Sequence, residues 1–97
     1  MATNVTKNVQ LPYPQAFDRL YHTIVNAGYS VSLADPQRGI LLFDSPAGLT
    51  DWGFNFTAQL YAIGANASQI SFTGDVKFGF DVFKVGNKKI EQLMKSY

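Results

Sequence analysis

The 97-residue chain has no cysteine. That excludes disulfides, thiol catalysis and cysteine-held zinc, so burial and backbone hydrogen bonding must hold the domain together. Histidine is nearly absent too, and His22 alone cannot build a histidine-based metal site. Charge is sparse: eight Lys and Arg against seven Asp and Glu leave a net charge of +1, too little to point to nucleic acid or an anionic lipid surface. No apolar run reaches the ~20 residues that cross a bilayer as a helix. Residues 1–7, Met-Ala-Thr-Asn-Val-Thr-Lys, lack the basic and apolar portions of a secretory leader. The chain as it stands reads as soluble. The cytoplasm is the default compartment, and the envelope the alternative if a leader has been removed.

What the chain has in quantity is aromatic bulk set in a two-residue rhythm, with eight Phe, five Tyr and one Trp. Over 52–62, Trp52, Phe54, Phe56, Ala58, Leu60 and Ala62 alternate with Gly53, Asn55, Thr57, Gln59 and Tyr61. From position 70, Ile70, Phe72, Val76, Phe78 and Phe80 alternate with Ser71, Thr73, Asp75 and Lys77. Side chains point to opposite faces along a strand, so this rhythm predicts a sheet with one oily and one polar face.

The remaining elements follow from local signals. Residues 4–11 alternate weakly, with Val5, Val9 and Leu11 on one side, and predict a first strand that Pro12 and Pro14 end. Phe17, Leu20, Tyr21 and Ile24 have helical spacing, Pro14 suits a first turn and Gly28 a left-handed cap, which predicts a helix over 14–27. Tyr29, Val31 and Leu33 predict a second strand on whose other side lie Ser30, Ser32 and Ala34. Asp35-Pro-Gln-Arg-Gly39 is a turn, and 40–44 a third strand. After the loop 45–50 come the long strand over 52–62, a turn at 64–66 and a fifth strand from near Ser68, joined closely enough to predict an antiparallel meander. Gly74 and Gly79 read as a bulge or bend in that strand. Ile90, Leu93, Met94 and Tyr97 predict a C-terminal helix over about 86–96, with Glu91 and Lys95 as an i,i+4 pair. Period alone leaves 78–83 open between strand and helix start, and strand is the reading taken. The sum is one α+β domain over 1–97: a two-layer, five-stranded antiparallel sheet, in the order β-α-β-β-β-β-α, with both helices on one face.

The run Tyr13-Pro-Gln-Ala-Phe-Asp-Arg-Leu, then Asn26-Ala-Gly-Tyr, then Asp35-Pro-Gln-Arg-Gly-Ile, resembles small uncharacterised bacterial domains with an aromatic-led helix, a Gly-Tyr/Phe exit and an Asp-x-x-x-Gly hairpin in this order. Lys84 and Lys88-Lys-Ile-Glu-Gln-Leu93 resemble their closing helix, and the topology is similar to helix-grip folds. The resemblance implies a sheet that holds a C-terminal helix, with a hydrophobic ligand between the two in some relatives. Fold likeness does not by itself carry function.

Catalytic signals are thin. His22 lies off the apolar stripe of its helix, without a nucleophile or an orienting acid in its sequence neighbourhood, and reads as a surface residue. The carboxylates (Asp18, Asp35, Asp44, Asp51, Asp75, Asp81 and Glu91) are scattered, Asp35 belonging to its turn. Lys77, Lys84, Lys88, Lys89 and Lys95 gather toward the C-terminus, as suits a solvated helix end. Gly74, Gly79 and Gly86 do not have the spacing of a phosphate loop. Three Asn-x-Ser/Thr tripeptides, at Asn4, Asn55 and Asn66, match the short glycosylation acceptor pattern. No enzyme activity, cofactor or metal is expected.

Two features remain as functional candidates. One is the polar face, made of Asn55, Thr57, Gln59, Tyr61, Ser71 and Thr73 with Thr6, Asn8, Ser30 and Ser32. Simple solvation accounts for a polar sheet face, but such faces usually carry more Lys and Glu, which guard against association. A protein-interaction or accessory module, working through this face or a sheet edge on a partner or a second copy, is the first expectation. The second is a small hydrophobic-ligand or lipid-binding module, with Trp52, Phe56, Phe80 and Leu93 lining a site between the sheet and the C-terminal helix.

Overall fold

The computed structural model describes residues 3–46, 53–77 and 85–97. Among them the elements run β1 (Thr3–Val9), α1 (Tyr13–Asn26), β2 (Ser30–Asp35), β3 (Ile40–Ser45), β4 (Phe54–Gly64), β5 (Ala67–Val76) and α2 (Val85–Met94). All strand pairs are antiparallel, in the order β1-β5-β4-β3-β2. The meander β2 to β5 is therefore continuous, and β1 adds to its far side against β5. The residues 78–83 left between strand and helix, and Trp52, lie outside the described residues.

Local chemistry explains why α1 starts and stops where it does. Pro14 occupies its first turn, where a missing N–H costs no intrahelical bond. At the other end Tyr29 N–H donates to Ile24 O (3.2 Å) and Gly28 N–H to Val25 O (3.0 Å), with Gly28 at φ +87°. This is a Schellman cap, in which a left-handed glycine lets the last carbonyls find donors. Ala16, Phe17, Leu20, Thr23 and Ile24 form the buried stripe of α1. The turn after β2 is equally local: Asp35 Oδ1 accepts the Arg38 N–H (3.2 Å), and Gly39 takes φ +71°.

Both helices lie on the oily face. Ile90 and Leu93 of α2 join the α1 stripe, Leu41, Phe43, Phe54, Phe56, Ala58, Leu60, Ile70 and Phe72 in a single buried cluster. Aromatic rings run across it from strand to strand. Tyr29 stacks on Phe43 and Phe56 (5.9 and 6.4 Å between centroids), Phe54 on Phe56 (5.4 Å), and Phe72 meets Phe43 edge to face (6.5 Å). The alternation over β4 and β5 that predicted an oily face therefore holds for the described residues from Phe54 to Leu60 and from Ile70 to Phe72.

Three local expectations are corrected. Leu33 does not share a face with Val31: the ladder pairs Val31 with Phe43 and then Leu33 with Leu42, so Ser32 is an extra, bulged residue and Leu33 points away from the core. Gly74 sits in register, opposite Phe56 and Thr3, and marks no bulge. It is a glycine because a Cβ there would lie 2.5 Å from Phe56 Cδ1 and 2.6 Å from Asn55 O. The register shift of β4 and β5 instead falls between Ala62 and Gly64, at the end of the hairpin. Glu91 does not reach for Lys95 but forms an ion pair with Lys7 of β1 (2.6 Å), which fastens α2 to the edge strand.

Candidate functional site

The outer face of the sheet is the surface that the helices leave open. Cross-strand partners share a face, so the ladder registers place its side chains in rows. One row reads Leu33, Leu42, Thr57, Thr73, Asn4 from β2 to β1, and the next reads Asp35, Ile40, Gln59, Ser71, Thr6. To one side of these lie Tyr61, Gln69 and Asn8, and to the other Ser30, Asp44, Asn55 and Asp75. The six polar residues singled out in the sequence, Asn55, Thr57, Gln59, Tyr61, Ser71 and Thr73, thus stand on one surface, joined by Thr6, Asn8 and Ser30. Ser32, expected among them, is the bulged residue and bonds its hydroxyl to Leu42 O (3.3 Å).

The face has two halves. Over β1 and β5 the polar side chains partner one another, Gln69 Nε2 donating to Asn8 Oδ1 (3.1 Å) and the Thr6 and Ser71 hydroxyls standing 3.5 Å apart. Over β2 and β3 an apolar patch stands that the alternation did not reveal. Leu33 and Leu42 are direct cross-strand partners, Ile40 follows Leu42 on the same side of β3, and Tyr61 lies diagonally from Ile40. Leu33 and Tyr61 are 45% and 46% exposed, and Ile40 and Leu42 half-buried. The signal that could have exposed this patch is the apolar run Ile40-Leu-Leu-Phe, whose period-two reading places Ile40 and Leu42 opposite Leu41 and Phe43. Charge stays at the margin: Asp44 pairs with Lys77 (3.8 Å) and Asp35 with Arg38 (3.8 Å).

Both edges of the sheet are blunted. On β1, Lys7 points to the helix side, where its ammonium meets Glu91, and the Asn4 N–H donates to Asn87 Oδ1 of α2 (3.1 Å). On β2 the Ser32 bulge breaks the ladder and Pro36 follows directly. An inward charge, a bulge and a proline are devices that discourage strand addition.

The apolar candidates are placed differently. Phe56 and Leu93 are buried in the common core, 2% and 3% exposed, while Trp52 and Phe80 lie outside the described residues. Two clefts on the helix side are lined by other residues. One, of about 340 Å³, lies between α1 and the chain end and is bordered by Arg19, His22, Asn26 and Tyr97. There the Arg19 guanidinium lies 5.1 Å over the Tyr97 ring, and the Tyr97 hydroxyl donates to Ala16 O (2.9 Å). Burial raises the Tyr97 phenol above its usual 10.0, against a smaller lowering by Arg19. The other, of about 500 Å³, is lined by aromatic rings of α1 and by the turn after β2. Burial first, and the charge of Asp35 second, raise Tyr13 there, whose hydroxyl donates to Pro36 O.

His22 stands exposed on α1, its Nδ1 2.9 Å from Asp18 O and 3.6 Å from Asp18 Oδ1. Among the described residues, no three His, Asp or Glu side chains converge to hold a metal ion, and no helix is long and apolar enough to cross a membrane. In comparisons with known proteins, no family model matches the chain and no curated relative matches it.

Proposed function

We propose that this chain is a non-enzymatic interaction module, of the bacterial type it resembles, whose working surface is the open face of its sheet. The observation that carries this reading is the row Leu33, Leu42, Thr57, Thr73: a low-charge face whose apolar end is left to solvent while both sheet edges are blunted. Hydroxyl and amide groups both donate and accept, so such a face complements a like face as well as a different one. A second copy of the chain is the partner that the pure protein can test.

The size of the face sets the strength expected. Five strands about 4.8 Å apart and about six residues long present about 500 Å² per copy, or about 1,000 Å² in a pair, the lower limit for a specific interface. Sedimentation equilibrium should accordingly show a weak, reversible dimer. Thr57→Lys, which sets a charge in the middle of the face, should abolish it while leaving the unfolding free energy within about 0.5 kcal/mol of the parent. A parent that stays monomeric throughout, or a dimer indifferent to Thr57→Lys, would contradict the reading.

A further inference from the structure

The second cleft has a chemistry of its own. Tyr13, Phe17 and Tyr21 follow at four-residue steps along α1, so their rings border a groove about 12 Å long. Pro36 and Gln37 form its other bank. Phe17 is its buried floor, and Tyr21 is 36% exposed. Among the described residues, the only charged side chain lining it is Asp18, with a largely exposed carboxylate. The nearby cations are engaged elsewhere: Arg38 with Asp35, and Arg19 over the Tyr97 ring on the other side of α1. His22 stands beside Asp18 but does not line the groove.

Aromatic rings beside one carboxylate, with no cation among the described lining residues, are complementary to an organic cation. A guanidinium fits better than an ammonium, because it is flat enough to lie on a ring and its paired N–H groups match a carboxylate. The length of the groove matches three to four residues of extended chain at about 3.3 Å each. We infer that the groove bordered by Tyr13, Phe17 and Tyr21 receives an arginine side chain from an extended segment of a protein partner, with Asp18 as its counter-ion. The groove opens on the helix side, away from the outer sheet face, so this contact is separate from the one proposed above.

The test uses a short extended peptide with a central arginine, and the same peptide with citrulline, which keeps the shape and loses the charge. Binding is followed by two-dimensional NMR of the whole chain. The arginine peptide should shift the ring signals of Tyr13, Phe17 and Tyr21 saturably, and the citrulline peptide should bind at least tenfold more weakly. Asp18→Asn, a surface change, should weaken the arginine peptide about tenfold, the loss of one charge-assisted contact. Thr57→Lys on the outer face should leave its binding unchanged even where it abolishes self-association. Equal binding of the two peptides, indifference to Asp18→Asn, shifts that map away from α1, or no binding at all would each overturn the inference.

Discussion

At the residue scale, two glycines show how differently the same absence of a side chain can be required. Gly28 has open space around it but a backbone at φ +87°, so Gly28→Ala should cost about 1–2 kcal/mol through conformation alone. Gly74 needs no unusual backbone, yet a Cβ there meets the Phe56 ring and a backbone oxygen at 2.5 and 2.6 Å. Gly74→Ala should lower stability by about 1–3 kcal/mol through overpacking, read from urea midpoints at unchanged slope. The first glycine was legible in the sequence because a helix cap is local. The second was not, because Phe56 reaches it from the neighbouring strand. Titration at this scale also has a definite sign. Tyr97 and Tyr13 have folded values raised above 10.0, so the protonated phenols are favoured in the native state. Their contribution is complete below about pH 10 and is lost as pH rises through the raised values, because the unfolded chain gives up those protons first. The contribution of these two tyrosines should therefore fall away in the alkaline range, and Tyr97→Phe with Tyr13→Phe should flatten that fall in denaturant titrations at stepped pH.

At the element scale, β2 carries the sharpest lesson. Its sequence alternates without a flaw, and Tyr29, Val31 and Leu33 look like one face. The strand nevertheless has to meet β3 at two fixed places, the Asp35–Gly39 turn and the Tyr29 stack on Phe43, and six residues do not fit the ladder between them. Ser32 takes up the excess, and Leu33 goes to the outer face. A single-sequence pattern cannot count residues across a strand pair, so this part of the candidate site stayed hidden, while the polar rows of β4 and β5 were visible. Removing Ser32 should leave Val31 opposite Phe43 and Leu33 opposite Leu42 in a regular ladder. The Ser32 deletion should thus fold with the same core signals, but with an unbroken β2 edge that associates more readily in light scattering. Helix α2 makes the same point in another way. Its sequence suggested an i,i+4 pair of Glu91 with Lys95, yet Glu91 is held by Lys7, almost the whole length of the chain away.

At the scale of the molecule, the division of labour is between two faces of one sheet. The helix side buries the rings that make a 97-residue chain without disulfides fold. The open side carries few charges, pairs part of its polar groups internally and leaves Leu33 and Tyr61 to solvent. Period-two alternation was enough to separate these sides and to give the layered α+β architecture, since it depends only on which positions must be dry. It did not give the place of Leu33 in the apolar patch, which depends on where the bulge falls. Amide NMR spectra recorded between about 0.02 and 1 mM decide whether the open face is the contact surface, over the range where an interface of about 1,000 Å² is expected to be weakly populated. Association through the open face should give concentration-dependent shifts confined to Leu33, Ile40, Leu42, Thr57, Tyr61 and their row neighbours. Spectra unchanged over that range, or shifts confined to the β1 edge or to α2, would contradict it.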